Sequence, residues 1–357
     1  MLASGIYSVF RRQSTRIRPR VLCQTVGYTT SSALPTVNIV EVGPRDGLQN
    51  EKGAAIPVEL KVELINRLVK AGNTTVEAGS FVSPKWIPQM AGTADVLKRM
   101  EHIPGVQYPV LVPNKKGLED LIGLLDTNSS NPPLTDEIAI FTAATDEFTR
   151  ANLNCTIKES LERLRGVTKM ALDRGLRIRG YVSVVIACPY AGRTDYKKVR
   201  EVTQELIQMG CYEVSLGDTV GQGRPHEVGE MLEEVKKAVS VEKLAGHFHD
   251  TYGTGVSNVL TALQHGVRTI DSSVGGLGGC PYSPGATGNV ATEDVLYALQ
   301  ESGYHVRGSV ANAIDLEKMV DIGWWISEQL GRENASRVGR AIKARRQRDE
   351  VKLKAKL

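Results

Sequence analysis

Apolar residues recur through the middle of the chain at steps of three and four. Each such stretch runs into a glycine and then into a β-branched run. VELINRLVKAG precedes NTTVEAG, VTKMALDRG precedes LRIRGYVSVVI, VTQELIQMG precedes CYEVSLGD, and VLTALQHG precedes VRTIDSSV. Leu60, Leu64 and Leu68 show the helical step. Gly72, Gly175, Gly210 and Gly266 stand where a left-handed residue ends a helix. Turns this short lead into parallel strands. VNIVEVG, YPVLVP, DEIAIF and AGHFHD add further strand candidates and bring the series to eight. Eight strand–helix units predict an α/β fold, a (β/α)8 TIM barrel with additional C-terminal helices. A doubly wound open sheet is the competing arrangement. It carries a glycine-rich phosphate turn after its first strand, and GPRDGLQ is not one.

The helices after Asn289, ATEDVLYALQESG and ANAIDLEKMVDIGWWISEQLG, are expected to cap the barrel or to join a dimer interface. LDTNSSNPPLTDE reads as an exposed loop before the fourth strand, because its Asn, Ser and Pro favour turns. The expected division is a targeting peptide over residues 1–35, the catalytic barrel with its C-terminal helices over 36–331, and a basic tail over 332–357.

Charge sharpens that division. Residues 1–40 hold Arg11, Arg12, Arg16, Arg18 and Arg20 and no acid, and residues 332–357 hold ten basic and three acidic residues. Against a formal net charge of +4, the body therefore carries −8. The basic character belongs to the ends, so the body offers no nucleic-acid face. No apolar run approaches the roughly 18 residues needed to span a bilayer, so membrane insertion is not expected. An acid-free, Arg- and Ser/Thr-rich leader is the composition of a mitochondrial transit peptide. The chain ends Ala355-Lys356-Leu357, a variant of the peroxisomal Ser-Lys-Leu address. The expected locations are the mitochondrial matrix and, through that tripeptide, the peroxisome. The five cysteines form no C-x-x-C pair and are widely spaced, so neither a disulfide framework nor a zinc ribbon is indicated.

Chemistry in such a barrel sits at the C-terminal strand ends. The first strand ends at Arg45-Asp46, the second near Glu77, and the sixth at Asp218-Thr219. The seventh carries His247 and His249, and the loop after the eighth carries Cys280 and Asn289. Strand side chains alternate faces, so His247 and His249 point to one side and Phe248 to the other. With the Asp46 carboxylate they make a two-histidine, one-carboxylate set that holds a divalent cation and leaves positions open. Asn289 adds a neutral oxygen. Nitrogen and oxygen donors without thiolate suit Mg²⁺ or Mn²⁺ better than structural zinc. The plainer alternative is a pair of hydrogen-bonded core histidines. A guanidinium beside a cation suits a developing oxyanion, which makes Arg45 a catalytic and substrate-binding candidate; Glu77 would orient it or a ligand. Asp218, Thr219 and Lys52 are substrate-binding candidates, Lys52 toward phosphates. Cys280, on the glycine-rich stretch GGLGGCPYSPGATGN, reads as a proton donor or acceptor delivered when a loop closes.

VEVGPRDGLQNE, SFVSPKWIPQM, GCYEVSLGDT, HFHDTYG and GGLGGCPYSPGATGNVATED resemble, in order, the motifs of 3-hydroxy-3-methylglutaryl-CoA lyase. The resemblance covers about residues 37 to 329. It implies a barrel that cleaves 3-hydroxy-3-methylglutaryl-CoA to acetyl-CoA and acetoacetate with Mg²⁺ or Mn²⁺, in leucine degradation and ketone-body formation. It further implies Asp46, His247, His249 and Asn289 as metal ligands, Arg45 on substrate, and Cys280 as the active-site thiol. His247 and Asp46 both remain candidates for the base. An acyl-CoA substrate and a homodimer are the expected partners. Two threonines common after the strand-two glutamate are here Ala78 and Gly79, which would alter packing around Glu77. Gly275 replaces a frequent alanine, which would loosen the loop. Neither removes a matched position. The alternatives are a Claisen-type synthase of the same superfamily, such as homocitrate or isopropylmalate synthase, and a non-catalytic metal-binding barrel.

Overall fold

The computed structural model describes residues 34–51, 55–128, 130–279, 288–309 and 313–355. Eight parallel strands succeed one another around a barrel: β1 Thr36–Glu41, β2 Gly79–Ser80, β3 Val110–Leu111, β4 Glu137–Ala143, β5 Arg177–Ser183, β6 Glu213–Asp218, β7 Leu244–Phe248 and β8 Thr269–Ser272. β8 returns to pair with β1, with Asn38 opposite Thr269. The seam between β1 and β2 is slight. It rests on the Glu41 amide to Thr75 at 3.0 Å and the Glu77 amide to Glu41 at 3.0 Å. The eight strand candidates read from the sequence all lie in this wall, and the TIM-barrel expectation holds.

Each strand is followed by a helix because the apolar step of the sequence gives that helix one greasy side. α1 (Val58–Lys70) buries Leu64, Ile65 and Leu68. α5 (Ile157–Asp173) starts on a capping box, with the Thr156 hydroxyl and Glu159 carboxylate satisfying each other's amides. Gly72, Gly175, Gly210 and Gly266 all have positive φ, from 74° to 107°, and end their helices as expected.

The two faces of the strands differ. Ile138, Ile140, Ile178, Val214, Leu216, Leu244, Phe248 and Ile270 turn outward and form the main core with the helices. The alternate positions on β5 to β8 are polar: Arg179, Tyr181, Ser215, His247 and Asp271, all buried. Period-two alternation thus separates an apolar jacket from a polar barrel interior.

The C-terminal additions are α9 (Thr292–Leu299), α10 (Leu316–Gln329) and α11 (Arg337–Lys354). A two-residue strand, His305–Val306, pairs with the outer side of β1. α10 lies against α1 and against the turn Val274–Gly276. The basic stretch after Arg332 is largely helical: α11 packs on α10, where Arg345 and Arg346 meet Glu317, and Lys343 stacks on Trp324. Among the described residues no helix is long and apolar enough to cross a membrane.

Candidate metal centre and active site

After β1 the chain makes one turn of π-helix, Gly43–Gly47. This turn throws Arg45 and Asp46 over the barrel mouth. Arg45 donates from Nε to Glu77 Oε2 and from Nη1 to Asp46 Oδ1, both at 2.7 Å. Its third nitrogen, Nη2, lies outside these two bonds. Burial disfavours the charge on Arg45, yet Glu77 and Asp46 outweigh that cost and raise its pKa further. Glu77 is fully buried and also accepts the Tyr181 hydroxyl at 2.7 Å. Glu77 thus holds the arginine at one end and β5 at the other.

Asp46, His247 and His249 offer ligand atoms that lie within 4.8 Å of one another. The two Nε2 atoms face each other at 3.4 Å, and His247 Nε2 lies 3.8 Å from Asp46 Oδ2. His247 Nδ1 meets Asp271 Oδ2 at 3.1 Å. Burial opposes charge on His247, but Asp271 raises its pKa, and that contact turns Nε2 toward the gap. Burial and the neighbouring His247 push the His249 pKa down to about 4, so His249 is neutral. Burial opposes charge on Asp46, but Arg45 above all, with His247, holds its carboxyl below the usual range. Asn289 donates Nδ2 to Asp46 Oδ2 at 2.9 Å and to the Leu277 carbonyl at 3.2 Å. Its Oδ1 is buried and has no hydrogen-bond partner among the described residues. An orphaned oxygen, two converging imidazole nitrogens and a carboxylate, with no thiolate, fit a hard divalent cation.

Behind this set lies a buried ionic layer. Arg179 donates to Glu213 at 2.8 Å, to the Tyr181 hydroxyl at 2.7 Å, and to both oxygens of Asp271 at 2.7 and 3.3 Å. Ser215 adds a bond to Asp271 at 2.7 Å. Burial would raise the Asp271 pKa, but Arg179 and His247 drive it far below the carboxylate range. The layer and the mouth together hold two guanidiniums, Arg45 and Arg179, and four carboxylates, Asp46, Glu77, Glu213 and Asp271. The formal excess of two negative charges matches one divalent cation, and an uncompensated excess is costly at this burial.

Two further acids hold the base of the glycine-rich segment. Glu41 accepts the Gly43 and Val274 amides and the Thr292 hydroxyl; burial pushes its pKa up to about 7 against those donors. Glu293 accepts the Gly275 amide, and burial raises it to about 8. Gly275 sits in this fixed turn at φ 62°, against the Gly323 backbone, so the glycine is required there and does not loosen the segment. Gly79 lies against Thr93, whose hydroxyl bonds the Ser80 backbone. Gly278 and Gly288 press together, and a Cβ on Gly288 would come within 2.7 Å of Gly278. The chain therefore leaves and returns through a narrow neck beside Asn289. Cys280 and Lys52 lie outside the described residues.

The remaining candidates divide. Thr219 lines the mouth and accepts the Val184 amide at 2.9 Å. Asp218 turns away: it accepts the Gly223 amide at 2.8 Å and pins the following turn, while burial pushes it up to about 6. Arg45, Asp46, Tyr181, Thr219, His247 and His249 open into one cavity of about 1200 Å³.

A family model described as HMGL-like matches residues 36–326. The mitochondrial hydroxymethylglutaryl-CoA lyase of Bos taurus is 48% identical over 335 residues, which is 91% of this chain and 97% of that protein. The chain belongs to the hydroxymethylglutaryl-CoA lyase family. The enzyme of that name from Pseudomonas mevalonii is 47% identical over 88% of this chain and all of its own length. The crystal structure of hydroxymethylglutaryl-CoA lyase from Pseudomonas aeruginosa superposes with a TM-score of 0.80, at 47% identity, over 87% of this chain and 99% of that one. Within a hydroxymethylglutaryl-CoA lyase, a buried carboxylate such as Asp271 has a positioning part: it orients the His247 ring for the gap it faces.

Asp271→Asn should lower Mn²⁺ affinity by about 10- to 100-fold, the scale for a lost partner of a ligating histidine. Titration of Mn²⁺ followed by electron paramagnetic resonance reads this directly, and unchanged affinity would remove Asp271 from the site.

Proposed function

We propose that this chain cleaves 3-hydroxy-3-methylglutaryl-CoA to acetyl-CoA and acetoacetate, with a divalent cation held by Asp46, His247, His249 and Asn289. The observation that carries the reading is the convergence of two imidazole nitrogens, one carboxylate and an orphaned amide oxygen beside Arg45. A bound cation would supply Lewis acidity, making the C3 hydroxyl easier to deprotonate.

The chain's own residues do the rest. A base takes the hydroxyl proton, and His247 and Asp46 are the two groups in reach. The oxygen lone pair becomes the ketone of acetoacetate, and the C2–C3 bond breaks. Its electron pair forms the enolate of acetyl-CoA. Arg45, locked by Glu77 and Asp46, meets the enolate oxygen without having to reorganise. Cys280 returns a proton to C2, which completes acetyl-CoA. Thr219 lines the acyl end of the cavity, and Asp218 acts on the site through the turn it pins. Lys52 is assigned to the CoA phosphates.

Relatives whose names include mitochondrial support a matrix address for this chain. Residues 1–35 serve as a matrix-targeting peptide ahead of the catalytic domain over 36–331, and the basic tail over 332–357 ends in the Ala355-Lys356-Leu357 peroxisomal address. The working assembly is a homodimer. A fluorescent protein carrying residues 1–35 should enter mitochondria, and one carrying the last dozen residues should enter peroxisomes. Cytosolic signal from a fusion rejects its address.

The deciding experiment is product analysis. Purified protein with Mg²⁺ or Mn²⁺ should release acetoacetate and acetyl-CoA from 3-hydroxy-3-methylglutaryl-CoA. Chelation should abolish turnover and added metal should restore it. Retained activity after exhaustive chelation would sink the metal assignment, and release of free CoA thiol only when acetyl-CoA is supplied with a 2-oxo acid would indicate condensation chemistry.

Cys280→Ala should cut kcat by roughly 10²- to 10⁴-fold, the range of a lost general acid–base, while Mn²⁺ affinity stays put. Near-normal turnover in that variant would hand the proton to another group.

A further inference from the structure

The charge pattern divides the chain at Arg332, yet the first residues past that division reach back to the barrel mouth. They form the linker between α10 and α11. Short bonds tie it to the segments that flank the Asp46–His247–His249 set. Arg332 donates from Nη1 to Glu51 Oε1 at 2.5 Å and from Nη2 to the Gly276 carbonyl at 3.3 Å. The Ala335 amide meets the Gly275 carbonyl at 3.0 Å. Asp294 accepts the Ser336 hydroxyl at 2.6 Å and the Val338 amide at 2.9 Å, and so fixes the start of α11.

Arg332 stands apart from the other cations of the basic stretch. Its side chain and that of Glu51 are 20% and 15% exposed, against 55% and 51% for the Arg345–Glu317 pair farther along α11. The Arg332 pair is therefore less open to screening by water and salt. Its two nitrogens also grip different loops. Glu51 lies in the segment after β1, where Asn50 Nδ2 holds the Asp46 carbonyl at 3.1 Å. The Glu51 carbonyl accepts Gln89 at 2.8 Å, so the loop after β2 steadies this anchor. Gly276 ends the turn after β8. It has φ 61°, and a Cβ on it would lie 2.8 Å from the Ala335 side chain, so the linker sits directly on the turn. The next carbonyl, that of Leu277, accepts Asn289 Nδ2, and the same Nδ2 bonds Asp46 Oδ2. Those two bonds fix the amide plane of Asn289, and with it the direction of the orphaned Oδ1. Asp46 is held independently by Arg45. Asn289 has no such second guanidinium among the described residues, and its setting depends on the turn that Arg332 holds.

We infer that Arg332 is a positioning residue for the metal centre: it ties the turn that orients Asn289 to the segment that carries Asp46. This rests on the cation reading above. Arg332 touches neither ligand and acts through Gly276 and Glu51. The fork is needed, because a lysine ammonium is a point charge that cannot span both partners in the same way. The catalytic unit then extends past residue 331 into the linker.

The test follows Mn²⁺ binding to the full chain by electron paramagnetic resonance, without turnover. Arg332→Met should lower Mn²⁺ affinity about 10-fold, the scale for a lost outer partner of a metal ligand. Arg332→Lys keeps a charge for Glu51 and loses the Gly276 carbonyl. It should melt like the wild type and still bind Mn²⁺ about 10-fold more weakly, which a merely structural ion pair would not produce. Arg346→Gln, in the same basic stretch but paired only with α10, should leave the affinity unchanged. Asn289→Ala should weaken binding by itself, and adding Arg332→Met to it should lower affinity by less than about 2-fold more, because no amide is left to place. Full additivity of those two changes, or wild-type affinity in Arg332→Lys, would overturn the role of Arg332. If the wild type binds no Mn²⁺, the cation reading falls and this role with it. If it binds Mn²⁺ with the expected coupling yet does not cleave 3-hydroxy-3-methylglutaryl-CoA, the reaction assignment falls and the role of Arg332 stands.

Discussion

The contact between Arg179 and Asp271 is the one on which the site depends. It joins β5 to β8 across the barrel interior with two short bonds to one carboxylate. That carboxylate in turn faces the ring of His247. Parallel register makes this possible, because Asp271 is the direct neighbour of His247 across β8 and β7. Arg179 also reaches Tyr181, and through its hydroxyl Glu77 and then Arg45. One guanidinium in the barrel interior thus sets the direction of both the His247 imidazole and the Arg45 guanidinium at the mouth. Charges this deep act at low effective dielectric, so their geometry is stiff.

The cavity couples this rigid floor to a wider rim. Metal-facing groups come from strands on one side of the mouth, and aromatic and basic groups, Trp86, Arg150 and Arg163, come from the opposite sector. Different loops of the same scaffold thereby supply the two sectors, as the barrel permits. The C-terminal helices brace the first of these sectors: α10 packs on the turn Val274–Gly276, which leads into the neck beside Asn289.

Much of this was legible in the chain itself. The helix-ending glycines, the eight strands and the H-x-H pair all follow from period and turn chemistry, and the left-handed φ values at Gly72, Gly175, Gly210 and Gly266 bear that out. The inner ionic layer was not legible as a network. Alternation in RIRGYVS puts Arg179 and Tyr181 on one face, but their partners lie 92 and 104 residues away, and only strand register selects them. Glu41 and Glu293 were missed because an acid at a strand end or in a helix's first turn normally signals solvent, whereas both are fully buried beneath the loop base. Asp218 sits at a strand end as expected, and one of its oxygens accepts the Gly223 amide of the next turn.

The polar barrel interior has a consequence for how this scaffold responds to selection. Buried ion networks often hold a protein below the stability that well-packed apolar residues of similar volume would give, by 1–4 kcal/mol in known cases. Arg179, Glu213 and Asp271 occupy positions that other barrels fill with branched hydrocarbons. Selection for heat resistance alone would therefore reward their joint replacement, and a chain so improved would be a better barrel with a slack imidazole.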